Sequence, residues 1–287
     1  MIYPDNFERK IGFSEVRTLL KGRCMSSLGT EWVDHHVTFS TDFDTVRESL
    51  AQAQEFARFM ATEEDVYEEN FYDVRQPLMR IRPERTYLEE LDLFDLKRSL
   101  QTVVSLVRFL RAARDEDEGE ALDPETAEAS PSETGTTPLY PALTRMTDGV
   151  GCFPQLIARI DRVLNKYGKI KDTATPELLN IRHTIEVTSR GISHSLRSII
   201  NQAQADGYID RDVSPTLRDG RLVIPVAPAL KRKIKGIIHD ESATGKTVFI
   251  EPAAVVDANN RIRELKAAER REIIRILQIL SSEIRPH

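Results

Sequence analysis

The stretch Arg218–Pro252, RDGRLVIPVAPALKRKIKGIIHDESATGKTVFIEP, decides the fold. It is the one long run rich in β-branched residues, and apolar residues at helical spacing flank it on both sides. Within it, residues 222–226 read as a strand, which Pro225 and Pro228 confine to a sheet edge. Residues 230–239 alternate as a second strand. Leu230, Arg232, Ile234 and Gly236 point one way, and Lys231, Lys233 and Lys235 the other. Residues 247–250 read as a third strand. Asp240, Ser242, Thr244 and Gly245 are expected as hydrogen-bonding turn residues between the last two.

Working outward, residues 175–205 predict a helix of about 30 residues, roughly 45 Å long. Thr175 is its expected N-cap, and Pro176 suits its first turn. Leu178, Ile181, Ile185, Ile192, Leu196, Ile199 and Ala203 form a narrow apolar stripe, the signature of a two-helix seam. On the far side Val256, Ile262, Leu265, Ile273, Ile276 or Leu277, Leu280 and Ile284 keep a similar stripe. The intervening sheet must turn the chain around, so the two helices are expected to run antiparallel. The predicted fold class is mainly α, with a helical core and two long antiparallel lever helices that carry a small antiparallel β clamp.

The upstream chain reads as that helical core. Short helices are expected over residues 12–24 and 26–35, the second capped by Ser26 or Ser27. A longer one spans 41–62, capped by Thr41 or Asp42, with Phe43, Val46, Leu50, Ala53, Phe56 or Ala57, and Met60 in steps of three and four. Residues 63–85 read as irregular, broken by Pro77 and Pro83. Helix resumes from residue 87 or 92 to 113, and again over 141–146 and 153–164. The expected organisation is core at 1–113 and 139–174, an acidic flexible loop at 114–138, the outgoing lever at 175–206, the clamp at 207–252 and the returning lever at 253–287.

At 40% hydrophobic and 30% charged residues, the composition suits a soluble protein with long exposed helices. No apolar run approaches the roughly 20 residues that span a membrane. The N-terminus lacks an apolar signal core, and Cys24 and Cys152 stand in unrelated contexts, so a cytoplasmic location is expected. The net charge of −6 is uneven. Residues 115–137 hold nine acids and no base, which leaves the rest of the chain at +3. From residue 217 onward, fourteen Lys and Arg face nine Asp and Glu. A basic end of this kind points to a polyanion partner.

A row of lysines along one strand repels itself unless something negative lies beside it. One reading is a phosphate-tracking surface built by Lys231, Lys233 and Lys235, with Arg218, Arg221, Arg232 and Lys246 nearby. The other is a solvated face whose lysines protect a sheet edge. Three further patterns carry no chemistry. Thr244-Gly245-Lys246-Thr247 imitates the end of a P-loop, but Asp240 stands where its first Gly is needed, and a strand rather than a helix follows. His239, Asp240, Ser242 and Glu251 crowd one turn, where nucleophile, base and orienter seldom reach mutual geometry. His183 and His194 share a helix face but lie about 16 Å apart, too far to hold one metal.

Residues 218–226, Gly236-Ile237-Ile238-His239-Asp240-Glu241-Ser242, Gly245, Thr247 and Phe249-Ile250-Glu251-Pro252 resemble the clamp of the bacterial MutS-like proteins of the second subfamily. Asn259-Asn260 and Arg263-Glu264-Leu265 continue the likeness, and Ser26-Ser27-Leu28-Gly29 resembles that family's N-terminal helices. The acidic loop has no counterpart in it.

The resemblance implies a core, lever and clamp without a mismatch-reading domain. In the family these are followed by a dimerising ATPase domain that uses ATP and Mg, and in many members by a nuclease domain. Neither motif set is present here, so the chain is expected to be a non-catalytic N-terminal part of an enzyme. The implied role is gripping branched or duplex DNA by its backbone, with ATP state coupled to clamping, in suppression of homologous recombination. Two alternatives stay open: the same clamp gripping ribosomal RNA on stalled or collided ribosomes, and a protein-interaction scaffold without nucleic-acid binding. A homodimer is expected of the whole protein.

Overall fold

The structure, a computed structural model, describes residues 4, 6–62, 70–111, 113–114, 137–210 and 212–287. Its chain order is α1 (Phe7–Lys10), α2 (Phe13–Lys21), α3 (Ser27–His36), α4 (Phe43–Thr62), α5 (Arg75–Arg80), α6 (Glu90–Leu110), β1 (Ala113–Arg114), β2 (Thr137–Pro138), α7 (Pro141–Arg145), α8 (Pro154–Val163), α9 (Pro176–Ala205), β3 (Thr216–Arg218), β4 (Arg221–Val226), β5 (Gly236–Glu241), β6 (Val248–Pro252) and α10 (Val256–Ile284). It is mainly helical with one small antiparallel sheet of four strands. The chain divides into two units, Met1–Lys169 with Leu280–His287, and Ile170–Ile279.

In the first unit, local caps set the helices. Ser26 Oγ accepts from the Gly29 N–H at 3.2 Å, and Asp42 Oδ2 accepts from the Thr45 N–H at 2.9 Å. α6 lies against α8, burying Leu93 and Leu96 on one and Ile160 and Val163 on the other. Lys97 Nζ meets Asp161 at 2.8 Å between them. A smaller cluster of Phe59, Tyr140 and Leu143 joins α4 to α7. Beside it, the Glu55 carboxylate accepts from the Ala142 and Leu143 N–H groups at 3.0 and 2.9 Å, at the N-terminus of α7.

The second unit is built on α9, the sheet and α10. Thr175 caps α9, its hydroxyl accepting from the Leu178 N–H at 3.1 Å with Pro176 in the first turn. The same hydroxyl donates to Glu272 at 2.7 Å, and Arg182 donates to Glu269 at 2.7 Å, so α9 and α10 run antiparallel. The sheet order is β3-β4-β6-β5. Ile224 pairs with Ile250 and Val226 with Val248, and these four side chains pack on Ile192, Leu196, Ile200 and Ala203 of α9 and on Ile262 of α10.

Several expectations are corrected. Residues 230–239 do not form one strand. A 3-10 turn at Pro228–Leu230 and a turn through residues 231–234 precede β5, which begins only at Gly236. The lysine alternation mimics a strand, but Leu230 and Lys233 N–H groups bond locally to Ala227 and Leu230 carbonyls, and Ile234 tucks into the core. Lys231, Lys233 and Lys235 therefore do not line one strand face. The strand holding Pro225 is internal to the sheet, between β3 and β6. β3 reaches only to Val223, so the backbone at Pro225 has no partner on that side and the missing N–H leaves no gap. Asp240, expected in the turn, lies within β5.

Residues 75–80 are helical, not irregular, because Pro77 falls in the first turn, where its N–H is not needed. Ile200, rather than Ile199, is the buried member of its stripe. Of the acidic loop expected at 114–138, residues 115–136 lie outside the described residues. The backbone on either side of it pairs, Ala113 with Pro138 and Arg114 with Thr137.

Candidate nucleic-acid interface

Strand alternation gives the sheet a second face, carrying Arg218, Arg221, Val223, Phe249 and Glu251. Glu251 is fully buried there. A buried carboxylate needs partners, and three elements supply them. Arg221 of β4 donates to Oε1 and Oε2 at 2.8 and 3.0 Å, Asn259 of α10 donates to Oε1 at 2.8 Å, and His239 Nε2 of β5 lies against Oε2. Burial pushes the Glu251 carboxyl up, but the hydrogen bonds from His239, Asn259 and Arg221 together outweigh it and hold the group below the ordinary carboxylate value. Asn259 also brackets Leu222, donating to its carbonyl at 3.2 Å and accepting from its N–H at 3.3 Å. His239 is the extra residue where the β5–β6 register shifts between Ile238 and Asp240, which turns its ring to the carboxylate.

Around this locked centre the predicted cations fall into separate places. Arg221 is engaged with Glu251 and with Asn260 Oδ1 at 2.8 Å, so its fork belongs to the sheet. Arg218, at the end of β3, lies over the Phe249 ring at 4.2 Å. Lys231, Arg232 and Lys233 share one exposed turn, with Lys235 just beyond it. Lys233 stacks on Tyr208 at 5.0 Å. Lys233 and Lys235 line a shallow hollow of about 520 Å³ with Ser198, Gln202, Asp206 and Tyr208. Lys246 stands at the other end of the β5–β6 hairpin, a strand length of about 20 Å away.

In the hairpin turn, the Ser242 N–H donates to the Thr247 carbonyl at 2.8 Å, Ser242 Oγ accepts from the Thr247 N–H at 3.1 Å, and the Gly245 N–H donates to the Ser242 carbonyl at 2.7 Å. Strand β6 follows Lys246, so the P-loop imitation has no helix to carry a phosphate. Among the described residues, no group of three His, Cys, Asp or Glu side chains could hold a metal. No helix among them is long and apolar enough to cross a membrane.

The role of Glu251 as the centre of the sheet was missed by the sequence reading. The signal was an acid placed by alternation on the same face as Phe249 in an otherwise apolar strand, which requires a buried partner.

No family model matches the chain. Among characterised proteins it is similar to Endonuclease MutS2 of Symbiobacterium thermophilum, with 31% identity over 274 residues, covering 96% of this chain and 31% of that protein. The protein of the same name from Thermomicrobium roseum is 32% identical over 279 residues, covering 96% of this chain and 32% of its own length. The one from Halalkalibacterium halodurans is 29% identical over 279 residues, covering 97% and 33%. The chain thus spans about a third of the length of the curated relatives it matches. Over nearly all of its own length, the chain is homologous to a region of the Endonuclease MutS2 family.

Proposed function

We propose that this chain is the gripping part of a MutS2-type protein and holds branched or duplex DNA by its backbone. The observation that carries the reading is the exposed group Lys231, Arg232, Lys233 and Lys235, with Lys246 at the far end of the hairpin. None of these five has an ion pair among the described residues. Cations without acidic partners suit phosphates and carry no base readout. The Arg221–Glu251–Asn259 lock supports the same reading, since it fixes the strands from which these turns project and ties them to α10. A rigid helix pair joined in this way transmits movement to the cations as a unit.

ATP hydrolysis with Mg, dimerisation and any nuclease step are assigned to the parts of the relatives outside the matched third. The physiological role proposed is control of homologous recombination in the cytoplasm. Competition between a labelled four-way DNA junction and purified ribosomes for the chain tests the choice of polyanion. Displacement of the junction only by excess junction supports DNA. Displacement by sub-stoichiometric ribosomes would assign the same cations to ribosomal RNA.

A further inference from the structure

The hollow beside the lysine turn has a make-up that does not suit a phosphate alone. Its volume of about 520 Å³ is within the range of small-ligand sites. Its floor is apolar, with Ala203, Ile234 and Pro252 all buried. Lys233 and Lys235 come to it from the turn before β5. Ser198 and Gln202 of α9, and Asp206 directly after that helix, follow at steps of four and share one face. Gln202 Nε2 donates to both Asp206 oxygens, at 3.1 and 3.2 Å, which steadies the carboxylate. Lys233 Nζ is drawn to the Tyr208 ring, 5.0 Å from its centroid, so one cation is placed before any ligand arrives.

A track for the DNA backbone alone would be weakened by a carboxylate in the same hollow as its lysines. A ligand that carries both a negative group and hydrogen-bond donors uses the two ends together. We propose that the hollow seats one unpaired nucleotide of a bound DNA. Its phosphate meets Lys233 and Lys235, its base lies on the apolar floor, and the Watson–Crick edge of the base donates to Asp206 and to Gln202 Oε1. The inference rests on the DNA-gripping reading above and adds to it a preference among DNAs.

Pairing occupies the Watson–Crick edge in an intact duplex, so only an unpaired base can offer it to the protein. Asp206 is an acceptor only, and a carboxylate is best matched by two adjacent donors. Guanine presents such a pair in its ring N–H and its amino group. Thymine presents a single donor, so it fits less well.

The test titrates the full 287-residue chain with three labelled duplexes of one sequence, followed by fluorescence anisotropy across a salt series. One duplex is intact, one carries a single unpaired dG and one a single unpaired dT. The dG duplex is expected to bind at least about fivefold tighter than the intact one, the low end for a bidentate base contact, with dT between. Asp206→Ala should weaken binding of the dG duplex and slightly tighten that of the intact one, since an acid has left the lysines. A merely structural role would move both in the same direction. Ala254→Trp, which fills the hollow from an exposed position on its lining and keeps both lysines, should likewise remove the preference. Equal affinity for all three duplexes, with steep salt dependence retained, would overturn the seat and leave the grip standing. Absence of salt-dependent binding to any of them would overturn both. Loss of the preference to micromolar free dGMP would overturn the DNA assignment and give the hollow to a mononucleotide.

Discussion

Arg221 and Glu251 face each other across the second side of the sheet, one nitrogen of the guanidinium reaching both carboxylate oxygens at 2.8 and 3.0 Å. The Glu251 side chain is wholly buried and that of Arg221 nearly so. Removing one member of such a pair strands the other charge, at a cost of about 3–5 kcal/mol. Arg221→Met is therefore expected to lower the urea midpoint far more than the double variant Arg221→Met with Glu251→Leu. Equal losses in the two would contradict a coupled pair.

The same carboxylate gives a pH dependence. Its hydrogen bonds hold it below the ordinary glutamate value, so the unfolded chain takes up a proton first as pH falls. The contribution is complete above the unfolded value of about 4.3 and disappears as pH falls through the folded one. Stability measured against pH should thus drop more steeply below about pH 4.3 in the natural chain than in Glu251→Gln. Parallel curves would contradict this assignment.

Gly236 opens β5 where the backbone of Glu251 passes closest. A Cβ added there would stand 2.1 Å from the Glu251 carbonyl oxygen, and backbone has nowhere to move. Gly236→Ala is expected to cost roughly 3 kcal/mol, the upper end for one substitution. Gly191, inside α9, meets nothing within 4 Å, so Gly191→Ala should stabilise by about 0.5–1 kcal/mol. Thermal unfolding of the two variants, moving in opposite directions, checks the pair.

Arg182 ties α9 to α10 through Glu269, and to the preceding connector through Asp172 and the Ile170 carbonyl. Arg182→Ala removes charge-assisted bonds worth about 1.5–3 kcal/mol where buried, and less here because the side chain is partly exposed. Amide exchange should accelerate through the first turns of α9 and stay unchanged in the sheet. Uniform acceleration would contradict a local tie.

The long helices were legible because their signals are local: Thr175 before Pro176, and apolar residues every three or four positions. The four-stranded sheet was half legible. Its β-branched run and the Ser242–Gly245 turn announced a hairpin, but β3 is three residues long and its partner gives it its conformation. The lysine row misled because alternation in composition is not alternation in backbone, and Pro228 turns the chain before the pattern begins. The α4 stripe was legible as a helix, but periodicity records which residues share a face, not which way that face turns. Arg221 lay hidden among the candidate phosphate contacts, since its partners Glu251 and Asn260 are thirty or more positions away.

The central claim is that the exposed turn cations grip a nucleic-acid backbone. Its most direct measurement is fluorescence anisotropy of the chain with a labelled four-way junction across a salt series, for the natural chain and for the triple variant K231A/K233A/K235A. Each phosphate contact contributes about 0.9 to the slope of log affinity against log salt. Steep salt dependence in the natural chain, with the slope reduced by roughly two to three in the variant, is the predicted result. Absence of binding at low salt, even from a chain forced to dimerise, or an unchanged slope in the variant, would contradict it.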